Sequence, residues 1–255
     1  MKPVLSVVIP TRDRRILVRK AIEYFERMDP VIDAELIIID NGVWPLVEDD
    51  VHGHQLIRGM IGETIGPQLN LGIAAARGDF ILRQDDDDWY APNWYTSALT
   101  AAKNSISGIS GVTDFYAYNP FIGEACQWDS WGNDPKASHW SGGSMCFRRD
   151  ICEKVKFNNL KVGSDREFLL NAYKQNPTPR AIVPNGTKKY VMIRHTKNLT
   201  GEYTKPSRPD HLLAVKSIIG KDMEWYMDLG DMFGHGTRVS LSRDIIPLGH
   251  FEVRI

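Results

Sequence analysis

The strongest pattern in this sequence is an alternation, over its first hundred residues, between short apolar runs and segments with apolar residues at helical spacing. The run at residues 4–10 is nearly continuous, which is typical of a parallel strand buried on both faces. The predicted strands cover residues 4–10, 35–40, 55–58 and 80–83, and the intervening predicted helices cover residues 17–28 and 66–76. This β-α-β order predicts a parallel sheet with right-handed crossovers.

Polar clusters lie at the carboxyl ends of three of these predicted strands, at residues 11–13, 40–42 and 85–88. In parallel sheets the carboxyl ends of the strands meet at one edge, and ligands bind beyond that edge. We therefore expect the three clusters to line one site.

The second half of the chain is less regular. Strands are predicted at residues 109–118, 124–128, 144–148 and 190–195, and helices at residues 93–104, 165–174 and 209–219. The segment after Gly220 gives no clear pattern. Because no linker or repeat is visible, we expect one continuous unit over residues 1–220, followed by a C-terminal extension over residues 221–255.

Charge and apolar content narrow the classes of function. The 31 basic and 32 acidic residues give a net charge of −1, which does not favour binding to a nucleic acid polymer or to anionic lipid. No apolar run approaches the ~20 residues of a spanning helix, and the N-terminus does not resemble a signal peptide. The three cysteines lack CxxC spacing, so we expect reduced core residues and a cytoplasmic location.

Four consecutive aspartates, Asp85, Asp86, Asp87 and Asp88, follow the last of the early strands. Two like charges ~4 Å apart repel by about 4 kcal/mol at an effective dielectric near 20. Such a cluster is either a solvated acidic turn or a site that gathers a cation. In an extended segment alternate residues share a face, so an alternating pair would reach a metal ion.

Together these segments resemble family 2 of the GT-A glycosyltransferases over residues 4–95, and less closely over 141–200. The first strand ends in Pro10-Thr11-Arg12, and the second ends in Asp40-Asn41-Gly42. A segment containing Asn70-Leu71-Gly72 leads to the four aspartates and Trp89. Each segment alone is a weak indicator of the family, whereas the order and spacing of all the segments together are specific to it.

The resemblance implies an α/β GT-A fold, with a central, mostly parallel (mixed) sheet flanked by helices, and a Mn²⁺ or Mg²⁺ cofactor. Residues 1–104 would form the nucleotide-binding half and residues 105–220 the acceptor half. The implied nucleotide-sugar pocket comprises Pro10, Thr11, Arg12, Asp40, Asn70, Asp85 and Asp86. Asp40 would accept a hydrogen bond from the base, although an ordinary turn carboxylate is also open. Asp87 would bind the metal.

The resemblance also implies roles for two residues in the second half. Asp165 would be the general base, and His195 would complete the metal site. Asp165 could instead cap a helix, and His195 could be an ordinary loop residue. Family members often have an arginine at the position of Leu69 and a glutamate at that of Ser164, so these departures put a diphosphate contact and full activity in doubt.

Three tryptophans, Trp128, Trp131 and Trp140, lie close together in the sequence. Flat aromatic rings stack on sugar faces, so an acceptor platform is one interpretation. Core packing is the other, since large rings dominate protein interiors.

The sequence and the resemblance thus predict an inverting, metal-assisted transfer of a sugar from a nucleotide donor, expected to be a UDP-sugar, to a carbohydrate or other hydroxyl acceptor. A nucleotidyltransferase and a nucleotide-sugar-binding module that has lost its chemistry remain alternatives. A dinucleotide-dependent oxidoreductase is disfavoured because no G-x-G-x-x-G motif follows the first strand.

Overall fold

The computed structural model describes residues 2–128, 141–195 and 207–234, with side chains described as far as Leu229. Its strands are β1 (Leu5–Thr11), β2 (Ala34–Asp40), β3 (Gln55–Arg58), β4 (Phe80–Arg83), β5 (Trp89–Tyr90), β6 (Ile109–Gly111), β7 (Phe115–Asn119), β8 (Glu124–Trp128), β9 (Cys146–Arg148), β10 (Ala181–Ile182) and β11 (Tyr190–Ile193). Its helices are α1 (Arg15–Glu26), α2 (Ile65–Ala75), α3 (Trp94–Lys103), α4 (Ile151–Lys154), α5 (Ser164–Gln175), α6 (Pro209–Ile219) and α7 (Met223–Gly234).

The central sheet has seven strands in the order β10-β6-β9-β4-β1-β2-β3. Strand β9 is antiparallel to both of its neighbours, and the other pairs are parallel. This arrangement confirms the predicted mixed, mostly parallel sheet. The parallel β4-β1-β2-β3 block is built from the four strands predicted in the first half of the chain, so their carboxyl ends share one edge.

Both faces of this sheet are covered. Val7 and Ile9 of β1 point into a core shared with α1, α3, α6 and α7, whereas Val8 points into a second core shared with α2 and α5. Helix α2 lies directly on the strands at Gly72, where a Cβ atom would come within 2.5 Å of Ile39 and 2.7 Å of Val8. Burial on both faces explains why the early strands are continuous apolar runs.

A second sheet of four strands, β5-β11-β7-β8, packs beside the first. The strand predicted over residues 109–118 is interrupted, because β6 belongs to the central sheet and β7 to the second one. The two-residue strands β5 and β10 are too short to leave a periodic pattern.

Helix α7, which follows the predicted domain end near residue 220, packs on the main core. Tyr226 and Leu229 of α7 are buried in the main core, and the Tyr226 hydroxyl lies 2.7 Å from that of Tyr24 in α1. This helix is therefore part of the packed core, and the predicted boundary between domain and C-terminal extension stays a prediction. Within the described residues, none of the helices combines the length and apolar character needed to cross a membrane.

Candidate active site

The carboxyl edge of the central sheet brings together the three polar clusters that follow β1, β2 and β4. Thr11 pairs with Asp40 at the last register position of β1 and β2. Beyond the end of β4, the Gln84 amide still donates to the Val8 carbonyl of β1, at 3.0 Å. The four aspartates therefore begin directly above β1, beside the Thr11 loop.

The chain bends at residues 86–88, so the four aspartates do not keep the strict alternation of an extended strand. Asp86 accepts hydrogen bonds from the Thr11 hydroxyl at 2.6 Å and from Arg14 Nη1 at 2.8 Å. Asp88 accepts from the Tyr190 hydroxyl and, at 2.9 Å, from the Ile193 amide. Asp86, which was predicted to lie in the nucleotide-sugar pocket, is thus buried and bound to protein donors. Its bond to Thr11 ties the aspartate segment to the end of β1.

Asp88 holds β11 against the aspartate segment, and its removal should destabilise the fold. Burial, reinforced by Asp87 and Asp85, raises the pKa of Asp88 well above its usual range, so its charge is costly there. Asp88→Ala would leave the Ile193 amide without its acceptor, and we expect a loss of about 1–3 kcal/mol in the free energy of unfolding.

The matched Asp88→Asn variant keeps an acceptor and removes the buried charge, so we expect its loss to be clearly smaller. Urea denaturation of both variants measures the difference. An Asp88→Ala protein as stable as the parent would show that Asp88 does not anchor β11.

Asp87 lies beside two positively charged or chargeable groups. Its Oδ2 atom is 2.9 Å from Arg14 Nη1 and 2.9 Å from His195 Nε2. Burial acts to raise the pKa of Asp87, but Arg14 and His195 outweigh it and lower the pKa to about 2. Asp87 is therefore ionised at neutral pH.

The pair formed by Asp87 and His195 fits part of a metal site. A carboxylate and an imidazole are suitable ligands for manganese-type ions, and magnesium often takes only one or two carboxylates plus substrate phosphates. No cluster of three or more histidine, cysteine or acidic side chains suited to a metal is present among the described residues. The donor set thus fits an ion whose remaining ligands come from a bound diphosphate and water.

Asp85 and Asp165 meet at a buried arginine, Arg83. Arg83 Nε lies 3.0 Å from Asp85 Oδ1, and Arg83 Nη1 lies 4.0 Å from Asp165 Oδ2. The Asp85 and Asp165 side chains keep 26% and 29% of their surface exposed, against 7% for Arg83. Two partly exposed carboxylates therefore face the site, and one guanidinium lies between them.

Two glycines allow the backbone to pass over this group. A Cβ atom on Gly142 would lie 2.3 Å from Arg83 Nη1 and 2.6 Å from Asp165 Oδ2. One on Gly143 would lie 2.8 Å from Asp85 Oδ2. The glycine pair thus closes one side of the cluster, a position that a larger residue would disrupt.

Asp165 lies in the first turn of α5, but it is not a capping residue. The residue at the N-cap is Gly163, which has φ of 85°, and no side-chain capping hydrogen bond forms there. The helix-cap interpretation therefore finds no support, and Asp165 is oriented toward Arg83 instead.

Asp40 is only 1% exposed, and protein donors surround its carboxylate. The amides of Gly42 and Leu46 each donate to it at 2.8 Å, and Arg58 forms an ion pair with it. These contacts are the ones expected of an ordinary turn carboxylate, which was the second interpretation of Asp40 from the sequence. Any contact with a base would have to share oxygens that already anchor the loop over residues 41–46.

Asn70, predicted in the pocket, makes a different connection. Its amide nitrogen donates to the Phe157 carbonyl at 2.7 Å, and its amide oxygen accepts from the Phe157 amide at 3.0 Å. This pair of hydrogen bonds ties α2 to a segment 87 residues away, because the short amide side chain offers one donor and one acceptor to the backbone of Phe157. The structure thus gives Asn70 a structural contact, and its predicted role in the nucleotide-sugar pocket stays a prediction.

The other predicted positions are distributed between the rim and the core. Pro10 is buried in β1, and Arg12 is exposed at the rim, where its Nε lies 3.1 Å from Asn41 Oδ1. Leu69 is 1% exposed and belongs to the core beneath α2. Trp128 stacks on Phe115 with ring centroids 6.3 Å apart. Trp131 and Trp140 lie outside the described residues.

Sequence reasoning did not single out Arg14 and Arg83, the two arginines that organise the carboxylates. A signal was available for Arg83, since it ends an otherwise apolar strand two residues before the first of the four aspartates. Arg14 lies in the basic run that follows Thr11, where spacing alone does not show which arginine turns inward.

Known families and proteins resemble this chain in sequence and in fold. The family model described as "Glycosyl transferase family 2" matches residues 6–155. A named relative is the GalNAc(5)-diNAcBac-PP-undecaprenol beta-1,3-glucosyltransferase of Campylobacter jejuni, which is 24% identical over 188 residues. The match covers 68% of this chain and 60% of that protein.

Solved glycosyltransferases share the fold. S. aureus TarS aligns with a TM-score of 0.57 and 15% identity, over 76% of this chain and 37% of TarS. The mannosyltransferase PcManGT of Pyrobaculum calidifontis, in complex with GDP-Man and Mn²⁺, aligns with a TM-score of 0.53 and 15% identity, over 91% of this chain and 74% of that one. These likenesses confirm the predicted GT-A fold, and the chain spans less than two thirds of the glucosyltransferase and of TarS.

Proposed function

This chain belongs to glycosyl transferase family 2, and on that premise we propose that it transfers a sugar from a nucleoside diphosphate donor to an acceptor hydroxyl, with inversion at the anomeric carbon and with a divalent metal. The observation that carries the proposal is the grouping of Asp85, Asp87, His195 and Asp165 at one edge of the sheet. A UDP-sugar is the expected donor, and support comes from the S. aureus TarS 1–349 structure in complex with UDP-GlcNAc.

In this proposal Thr11 and Arg12 border the nucleotide, and Asp85 contacts the donor sugar. Asp87 and His195 hold Mn²⁺ or Mg²⁺, which when bound supplies positive charge to offset the charge that grows on the leaving diphosphate. Asp165 accepts the proton of the acceptor hydroxyl as that oxygen forms a bond to the anomeric carbon and the bond to the diphosphate breaks. Arg83 keeps Asp85 and Asp165 at a fixed spacing, which orients the donor and the base together.

The acceptor is a hydroxyl compound, and a lipid-linked saccharide is one class to test. The name of the C. jejuni relative includes a compound of this class, GalNAc(5)-diNAcBac-PP-undecaprenol. The partly exposed Asp165 leaves room for an acceptor on its side of Arg83.

A donor panel tests the proposed function. UDP-, GDP- and dTDP-sugars would be screened by thermal shift with and without Mn²⁺, and release of the nucleoside diphosphate would then be followed with saccharide and lipid-linked acceptors. We expect one donor to raise the melting temperature more with Mn²⁺ and to be consumed when an acceptor is present. Stabilisation without turnover on any acceptor would favour the lapsed binding module, and no stabilisation by any donor would contradict the proposal.

Gly142→Ala should damage the site more than the fold. The new methyl group would displace Arg83 or Asp165, which the parent holds 4.0 Å apart. Because a misplacement of about 1 Å can reduce catalysis by about 10²-fold, we expect transfer to fall by at least tenfold. UDP affinity in the presence of Mn²⁺ should stay near that of the parent. Transfer at the parental rate would show that the spacing of these groups is unimportant.

A further inference from the structure

We propose that Arg14 makes metal binding at Asp87 depend on the diphosphate of the donor, an inference that rests on the proposed function. Arg14 lies on the loop before α1, and its side chain is 17% exposed. Its Nη1 atom is 2.8 Å from Asp86 Oδ1 and 2.9 Å from Asp87 Oδ2. One guanidinium nitrogen therefore bridges the predicted metal ligand and its neighbour.

The same Asp87 oxygen is also the one that faces His195, at 2.9 Å. A cation held by Asp87 and His195 thus arrives close to the guanidinium. Two positive charges in a largely buried site repel strongly, since little water is present to screen them. Arg14 does not relieve this repulsion by losing its proton. The guanidinium of arginine stays protonated in proteins.

A diphosphate resolves this conflict. Its oxygens supply the metal with further ligands, and its negative charge offsets the cation. Guanidinium groups also bind phosphate oxygens through two parallel hydrogen bonds, which gives Arg14 a new partner when it turns away from Asp87. Asp86 retains the Thr11 hydroxyl as a donor after this turn.

Metal and diphosphate should consequently bind with positive coupling, each raising the affinity of the other by the same factor. Without a nucleotide, Arg14 acts as the counterion of the two carboxylates and disfavours the metal. With a nucleotide, it moves to the phosphates. Arg14 is thus a binding residue that selects the metal–nucleotide complex over the metal alone.

Mn²⁺ titrations followed by electron paramagnetic resonance test this role without any transfer assay. The parent, Arg14→Gln, Arg14→Lys and the control Arg15→Gln would each be titrated with and without UDP. Arg15 is the adjacent residue, but it is exposed and pairs with Asp50, away from the aspartate segment. Thermal melting would confirm that each variant is folded.

Without UDP, we expect Arg14→Gln to bind Mn²⁺ about tenfold more tightly than the parent, and its enhancement by UDP to be smaller by the same factor. Arg14→Lys, which keeps the charge, should bind Mn²⁺ without UDP as weakly as the parent does, and Arg15→Gln should match the parent with and without UDP. If UDP enhances Mn²⁺ binding equally in the parent and in Arg14→Gln, the inference about Arg14 is overturned while the metal site stands. If the parent binds no Mn²⁺ even with UDP, the metal-dependent function and this inference fall together.

Discussion

Asp165→Asn is expected to bind donor as the parent does and to transfer sugar about 10²–10⁴-fold more slowly, the usual contribution of a positioned general base. Asparagine has the size of aspartate and keeps an oxygen toward Arg83, 4.0 Å away in the parent. It cannot accept the proton of an acceptor hydroxyl at neutral pH. The loss should therefore appear in kcat, with little change in the KM for the donor.

Asp150→Asn is the matched control for this variant. Asp150 is an exposed carboxylate that pairs with Arg148, and Arg148 lies opposite Phe80, at the other end of β4. We expect the control to transfer sugar at the parental rate. If Asp165→Asn also retained that rate, Asp165 would not be the base, and the first turn of α5 would have to be assigned another role.

Asp87→Ala is expected to abolish the metal-dependent part of nucleotide binding. Asp87 is ionised and, with His195, forms the carboxylate–imidazole pair suited to Mn²⁺. Losing one of two protein ligands should weaken UDP binding in the presence of Mn²⁺ by about 10–100-fold or more, since even outer partners of metal ligands contribute this much. Binding of UDP without metal should change little.

Isothermal titration calorimetry with UDP, with and without Mn²⁺, measures this effect. Asp79→Ala provides the control, because Asp79 is an exposed carboxylate just before the opposite end of β4, where it pairs with Lys2. Equal UDP affinities for the parent and Asp87→Ala in the presence of Mn²⁺ would remove Asp87 from the metal site.

The half of the fold that the sequence predicts well is the half whose strands are buried on both faces. Continuous apolar runs mark β1, β2 and β4, and their polar ends fall at the edge where the structure places them. The second half is harder because its strands are short and divided between two sheets. Gly111 ends β6, but a single glycine in an apolar run does not show that the next strand, β7, belongs to another sheet.

The site was predictable at the level of which segments meet, and less so at the level of which side chain faces which partner. Motif position indicated Asp87, His195 and Asp165, and the structure brings all three to one edge; their roles stay predictions. Motif position also indicated Asn70, which bonds to a distant backbone segment. Such a contact depends on tertiary packing, and no local pattern encodes it.

Burial also explains why the sequence did not reveal the partners of the two arginines. A guanidinium is expected at the surface, yet Arg83 is fixed between carboxylates that offset its desolvation. The sequence shows only that arginines and aspartates are abundant near the strand ends. Which ones pair is decided by the bend at residues 86–88 and by the close approach of the glycines over the cluster.

The central claim is that one cavity holds both the metal–nucleotide site at Asp87 and the acceptor base at Asp165. A crystal structure of the protein with UDP and Mn²⁺, with data collected at the manganese absorption edge, tests it most directly. The account predicts an anomalous peak within ligand distance of Asp87 and His195, with the diphosphate on it and the Asp165 carboxylate facing the same cavity. A manganese peak away from Asp87, or a nucleotide bound at another edge of the sheet, would contradict it.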